Sequence, residues 1–144
     1  MPFVSVTRLR VRSWRFLPAF FLHAYRTSRQ ASAASGFRAG ALLPDRRWTF
    51  WTLTIWDQAA DMRAYIKAGS HKKAMPKLIH WCDEASIVHW EQPDLTMPSW
   101  PEADARMRRE GRPSKVRNPT PAHLAMDFAP PRPGAGAPIT PRQR

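Results

Sequence analysis

Two histidines are the side chains of this sequence best suited to chemistry. His71 follows Gly69, where a helix should end, so its imidazole could reach the mouth of the sheet face and transfer a proton there. The alternative for His71 is a surface residue that caps a helix. His89 lies between Val88 and Trp90 on a predicted strand, where a hydrogen-bonded core histidine is the alternative to a catalytic one. His71 and His89 are therefore the candidate catalytic residues.

Other groups that could serve as ligands are less well placed. His23 lies on the apolar stripe of a predicted helix and is interpreted as a core residue. His80 and Cys82 supply two potential ligands, whereas a closed zinc site needs four, so no metal is predicted. The sequence shows no nucleophile–base pair, no glycine-rich phosphate loop and no paired catalytic carboxylates. Enzymatic chemistry would therefore come from a bound cofactor or from the substrate's own reactivity with oxygen.

An aromatic run from Trp48 to Trp56 supplies the candidate substrate pocket. All nine residues are β-branched, aromatic or leucine, which predicts a strand. Side chains alternate along it, with Trp48, Phe50 and Trp56 on one face and Trp51, Leu53 and Ile55 on the other. Trp48, Phe50, Trp51 and Leu53 are the pocket candidates, because aromatic walls suit a flat or elongated apolar ligand such as a porphyrin or polyene. Ordinary core packing is the alternative for each.

The elements around these residues predict one α+β domain. Strands are expected at residues 3–9, 37–43, 48–56 and 85–92, with helices from Ser13 to Gly36 and from Asp57 to Gly69. A short helix is expected from His71 to Met75, where Pro76 either breaks it or starts another turn that runs to Trp81. This order is the ferredoxin-like β-α-β-β-α-β arrangement, with both helices on one face of a four-stranded antiparallel sheet. The other face would be bare and aromatic, so a second copy of the chain should cover it in a homodimer.

Composition divides the chain near residue 95. Eleven of the 15 prolines lie at or beyond Pro93, and apolar periodicity is not evident there. Residues 1–95 are predicted to fold, and residues 96–144 to form a disordered tail rich in proline and arginine that is dispensable for folding. The net charge of +12 favours anionic partners in general.

Three segments resemble the dimeric α/β-barrel superfamily, which includes the antibiotic-biosynthesis-monooxygenase-like proteins: Phe50–Trp56, Asp57–Tyr65 and Gly69–Pro76. Trp81–Ala85 and Val88–Trp90 are similar to the bacterial group around spheroidene monooxygenase. The resemblance covers residues 2–92 and implies a dimeric α/β barrel and an oxygenase-like activity on an apolar polyene or aromatic substrate. Some superfamily members bind haem through a histidine of the second helical region, which implies haem as a cofactor and His71 as its ligand. Others need no cofactor.

Two further functions stay open. One is a non-catalytic ligand-binding dimer. The other is an RNA-binding module, since the RNA-recognition fold shares this topology and stacks bases on aromatics of its third strand, where Arg47 precedes Trp48 here. Its signature glycine and aromatic–valine pattern do not occur, so no specific nucleic acid is expected.

The cellular location is predicted from the N-terminal residues, the single cysteine and the length of the apolar runs. Residues 1–44 contain seven arginines and no acid, as in mitochondrial presequences, but the strand-like start and the Pro18 and His23 within its apolar run are untypical of a leader. The single cysteine, Cys82, is consistent with a reducing compartment. No apolar run approaches the roughly 20 residues that span a membrane. A cytoplasmic protein is expected.

Overall fold

Residues 1–134 and 136–142 are described by the structure, a computed structural model. The strands are β1 (Phe3–Val11), β2 (Phe37–Asp45), β3 (Thr49–Trp56), β4 (Cys82–Glu91), β5 (Arg112–Pro113) and β6 (Ala137–Ile139). The helices are α1 (Leu17–Ala33), α2 (Ala59–Ile66), α3 (Gly69–Trp81), α4 (Trp100–Glu110) and α5 (Pro121–Ala125). Short 3-10 turns at Trp14–Phe16 and Arg46–Trp48 precede α1 and β3. No helix among the described residues is long and apolar enough to cross a membrane.

One antiparallel sheet with the strand order β5-β4-β1-β3-β2-β6 organises these elements. The first four strands and the helices between them have the predicted ferredoxin-like order, which confirms the fold class. The sheet has six strands instead of the expected four, because short C-terminal segments pair with the two edges. Pairing at an edge satisfies backbone groups that would otherwise face solvent.

The two faces of the sheet carry different layers. Helices α1, α2 and α3 pack on one side, here called the helix face, through residues such as Ala31, Met62 and Trp81. The opposite side, here called the outer face, is covered by α4 and by Phe128. Its buried strand residues are Val4, Val6, Ala41, Leu43, Trp51, Leu53, Ile55, Val88 and Trp90. The predicted alternation along β3 is thus present, with Phe50 and Trp56 on the helix face.

The C-terminal segment corrects the prediction of a disordered tail over residues 96–144. Trp100, Ala103 and Met107 are buried, and their spacing puts them on one side of α4 against the outer face. Ser99 caps this helix, its hydroxyl accepting a bond of 3.2 Å from the Glu102 backbone N–H. Pro101 stands in the first helical turn, where a missing N–H costs nothing. The prolines therefore begin helices here, and three apolar side chains suffice to anchor α4.

This arrangement also corrects the expected bare sheet face. Trp51 has no exposed surface, and its ring centroid lies 6.5 Å from that of Trp100 and 5.8 Å from that of Phe128. The cover is a part of the same chain and not a second copy. The outer-face aromatics are therefore unavailable for stacking on RNA bases.

The end of α3 and the start of α2 both differ from their predictions. The helix runs from Gly69 to Trp81 without a break at Pro76, instead of ending at Met75. Pro76 has no backbone N–H to donate to the carbonyl of Lys72, four residues earlier in the helix. Because both residues are exposed, water can bond that carbonyl instead, and the helix continues. Asp57 does not cap α2, which begins after Gln58.

Candidate functional site

The helix face is apolar at its two ends and hydroxyl-rich between them. One end is a cluster around Phe3, Phe37, Trp56 and Met62, and the other a cluster around Val11, Phe20, Trp81 and Cys82. Between these clusters, neighbouring strands pair Ser5 with Thr54 and Thr7 with Thr52. Because residues two apart share a face, all four hydroxyl side chains point toward the helices. The helix layer therefore lies over a polar belt that apolar walls enclose at both ends.

His71 lies in the first turn of α3, next to Tyr65 of α2. Its backbone N–H donates a bond of 2.8 Å to Oε1 of Gln30 on α1. Nε2 of Gln30 donates in turn to the carbonyls of Tyr65 and Ala68, at 3.0 and 2.8 Å. Gly69 has a φ of +55°, a conformation that favours glycine. Gln30 thus fixes the junction of α2 and α3, and with it the position of His71.

The His71 imidazole is held in a neutral state by its surroundings. Burial lowers the pKa of His71 below its usual value, and the nearby Ile66 backbone opposes that shift only in part. Nδ1 is buried and has no hydrogen-bond partner. A neutral imidazole nitrogen with no partner can accept a proton or bind a metal.

Tyr65 forms the wall beside His71. Its ring centroid lies 4.9 Å from that of His71 and 5.1 Å from that of Trp56. The Tyr65 hydroxyl donates a bond of 3.1 Å to the carbonyl of Thr27, and burial raises its pKa above the usual range. Tyr65 therefore stays protonated and serves as an aromatic wall.

His89 lies on the helix face at the other side of the same aromatic cluster. Its centroid is 5.2 Å from that of Phe3, the residue that pairs with Trp56 across β1 and β3. Burial lowers the pKa of His89, with Arg112 and Arg63 acting in the same direction, and its Nε2 is buried without a partner. The structure thus brings both predicted histidines to one cluster, where His71 contacts Tyr65 and His89 contacts Phe3.

The four predicted pocket residues do not line a common space. Phe50 lies on the helix face, with ring centroids 4.7 Å from Phe20 and 5.3 Å from Phe21. Trp51 and Leu53 are enclosed on the outer face. Trp48 precedes β3 in a 3-10 turn and is 42% exposed. Tyr65 is the wall residue that sequence reasoning missed.

A charged cluster on the outer face was also not predicted. The carboxylate of Glu84 accepts bonds from Arg8 at 3.0 Å and from Arg10 at 2.9 Å, with Arg8 and Glu84 buried. The Arg8 guanidinium lies 4.4 Å above the ring of Phe128. Nδ1 of His123 accepts a bond of 3.3 Å from the Ala85 N–H. These contacts attach the C-terminal segment to the sheet, and they indicate a structural role.

Neither a cluster of metal ligands nor the larger cavity beside Gly36 lies at His71 in the described part of the chain. Within residues 1–134 and 136–142, no three His, Cys, Asp or Glu side chains come together as metal ligands would. A cavity of about 170 Å³ lies beside Gly36, between Arg38, Asp57 and Arg142, and His71 does not line it. His71 itself is partly exposed at the surface of the helix layer.

Comparison with known proteins identifies a family and a fold. The family model described as "Domain of unknown function (DUF3291)" matches residues 17–124, which extend past residue 95 to include α4 and most of α5. No curated protein matches the chain.

Three solved structures illustrate the fold. Rv0793 from Mycobacterium tuberculosis aligns with a TM-score of 0.59 at 9% identity, over 67% of this chain and all of that one. A variant of SnoaB, a cofactor-independent oxygenase from Streptomyces nogalater, aligns with a TM-score of 0.55 at 16% identity. The alignment covers 68% of this chain and 98% of that one. A Nitrosomonas europaea protein provisionally described as an antibiotic biosynthesis monooxygenase aligns with a TM-score of 0.54 at 13% identity. The alignment covers 63% of this chain and 89% of that one. At these identities the likeness establishes the monooxygenase-like fold alone.

Proposed function

The chain belongs to the family described as Domain of unknown function (DUF3291), and from that premise we propose that it is an oxygenase-like enzyme that takes an apolar polyene or aromatic substrate between its sheet and helices. The observation that carries this proposal is His71, whose Nδ1 is buried, neutral and without a partner beside an aromatic wall. Perturbed histidines in such a place are candidates for chemistry. The finer likeness to the spheroidene monooxygenase group is part of the proposal.

The surroundings of His71 support an apolar substrate with few polar groups. Tyr65, Trp56 and Phe3 supply aromatic surface, and the hydroxyls of the polar belt supply hydrogen bonds that can orient an oxygen atom. Movement at the junction of α2 and α3, which depends on Gln30, would admit the substrate. A substrate held there would be excluded from water on both sides.

Without a cofactor, His71 would act as a general base. The neutral imidazole takes a proton from an acidic hydroxyl or C–H group of the substrate, which leaves an electron-rich anion that reacts with dioxygen. The O–O bond then breaks: one oxygen atom becomes bonded to the substrate carbon, which gives up two hydrogens as a CH2 group becomes a carbonyl, and the other oxygen leaves with those hydrogens as water. The substrate supplies all four electrons. His89 lies at the far side of the aromatic cluster and is the second candidate for proton transfer.

Haem is the cofactor that the resemblance implies, and the donor chemistry of His71 fits it. A buried, neutral imidazole nitrogen with no protein partner is the type of atom that binds haem iron. When bound, haem would supply the activation of dioxygen. His71 would hold the group, and Tyr65 would pack beside it.

Hemin titration tests the ligand role of His71. We expect the wild type and His80→Ala to give the same shifted Soret band, and His71→Ala to lose the shift while keeping its circular dichroism spectrum. His80 is a matched control, because it lies on the same helix, is half-buried and has a buried Nδ1 without a partner. Equal spectra for the wild type and His71→Ala would remove His71 from the ligand role. A wild type that binds no hemin would leave only the cofactor-independent mechanism.

The homodimer expected from the sequence stays a prediction. It was expected through the outer face, which Trp100, Met107 and Phe128 of the same chain now occupy. A dimer would therefore need another surface, or α4 would have to leave its place.

A further inference from the structure

Large apolar side chains are exposed on the outside of the helix layer. They are Trp14 at 66% exposure, Tyr25 at 59%, Phe21 at 51%, Leu22 at 47%, Met75 at 45% and Trp48 at 42%. A patch of this kind on a soluble protein usually marks a surface that binds something. None of these residues belongs to the proposed oxygenase site.

The elements that carry these side chains adjoin one another. Phe21, Leu22 and Tyr25 follow the helical spacing that puts them on the solvent side of α1. Phe21 contacts Phe50, which is two residues after Trp48. The turn with Trp14 leads directly into α1. Helix α3, which carries Met75, lies beside α1, where the Lys77 Nζ is 3.4 Å from the His23 Nε2.

The same surface is uniformly basic. Helices α1 and α3 contain no aspartate or glutamate, and they expose Arg26, Arg29, Lys72, Lys73 and Lys77. Arg29 donates a bond of 3.1 Å to the Tyr25 hydroxyl and lies 5.9 Å from its ring centroid. A cation therefore lies directly beside the exposed ring of Tyr25. We call this set of apolar and basic residues the apolar–basic surface.

We propose that the apolar–basic surface binds the surface of a membrane that contains anionic phospholipid. Aromatic and leucine side chains insert at the level of the headgroups, while adjacent Lys and Arg side chains meet lipid phosphates. Charge complementarity selects an anionic bilayer over a neutral one. The exposed Leu22 and Met75 cannot stack on bases, which favours a bilayer over a nucleic acid. This inference is independent of the oxygenase activity.

Co-sedimentation with vesicles tests the proposal on the full chain. Vesicles of phosphatidylcholine with phosphatidylglycerol should bind the wild type, with affinity that falls as salt rises, and pure phosphatidylcholine vesicles should bind it far less. Leu22→Glu should weaken binding about tenfold, because it puts a charge in the inserted stripe. Leu124→Glu, at a residue 74% exposed on α5, is the matched control and should bind like the wild type.

A single basic residue gives a second comparison. Lys73→Gln should weaken binding about fivefold, whereas Arg109→Gln on α4 should leave it unchanged. The exposed indole of Trp14 should shift its fluorescence to shorter wavelength when vesicles are added, and Trp14→Phe should lose that part of the shift. The proposal is overturned if neither vesicle binds, if both bind equally, or if Leu22→Glu and Leu124→Glu behave alike. It is also overturned if the surface binds a single-stranded RNA oligonucleotide but no vesicle.

Discussion

Deletion of residues 96–144 should leave a chain that unfolds or aggregates. The deletion removes α4 and Phe128 and exposes the apolar outer face, including Trp51, Leu53 and Ile55, which are at most 1% exposed in the folded chain. The free energy lost when that apolar surface is exposed exceeds the few kcal/mol by which a domain of this size is stable. Size-exclusion chromatography and thermal unfolding of the shortened chain measure the effect.

A point substitution isolates the contribution of α4. Trp100→Ala should lower the free energy of unfolding by about 3–5 kcal/mol, the range for removing a buried aromatic side chain. Leu124→Ala, at an exposed residue of the same C-terminal segment, should change it by less than about 0.5 kcal/mol. A shortened chain that stays monomeric with an unchanged melting temperature would show that residues 1–95 fold without the segment.

Glu84→Gln should be the most destabilising charge substitution. Glu84 joins Arg8 and Arg10 in the cluster under the C-terminal segment, and glutamine would leave the buried Arg8 without a carboxylate, whereas Arg10 would keep Asp83 at 3.9 Å. Removal of one partner of a buried ion pair costs about 3–5 kcal/mol. Urea unfolding measures it, with Glu91→Gln at the exposed end of β4 as the control. A Glu84→Gln protein as stable as Glu91→Gln would contradict this account.

The same cluster predicts a loss of stability in acid. Burial alone would raise the pKa of Glu84, but hydrogen bonds from Arg10 and Arg8 outweigh it, so the pKa is lower than the usual 4.5. The unfolded chain therefore binds the proton more readily, and the stabilisation is present above pH 4.5 and lost as the pH falls through the lower folded pKa. In Glu84→Gln, the free energy of unfolding should therefore change less with pH over this acidic range.

Local patterns predicted the four central strands well, and long-range packing explains the main error. The aromatic run through β3 and its alternation needed only neighbouring residues. The number of prolines predicts disorder in the C-terminal segment, but the position of each proline matters more, and Trp100, Ala103 and Met107 have helical spacing. Proline at the start of a helix is favourable, as Pro101 shows.

The candidate site was predictable in its residues but not in its surroundings. His71 and His89 could be selected by type and by their place near element boundaries. Gln30 is 41 residues from His71 in the chain, and its bond to the His71 backbone depends on how α1 lies against α3. The alternation of side chains along β3 predicts that Trp51 and Phe50 lie on opposite faces of the sheet. Which segments cover each face depends on how the whole chain packs.

The central claim is that substrate binds on the helix face beside His71, because the chain itself fills the outer face. Indole N–H signals in the NMR spectrum distinguish the faces, since the Trp56 Nε1 bonds Thr54 and the Trp51 Nε1 bonds Asp45. Titration with 1-naphthol, an apolar aromatic probe, should shift the signals of Trp56 and of the His71 imidazole and leave that of Trp51 unchanged. A shift of Trp51 without one of Trp56 or His71 would contradict the account.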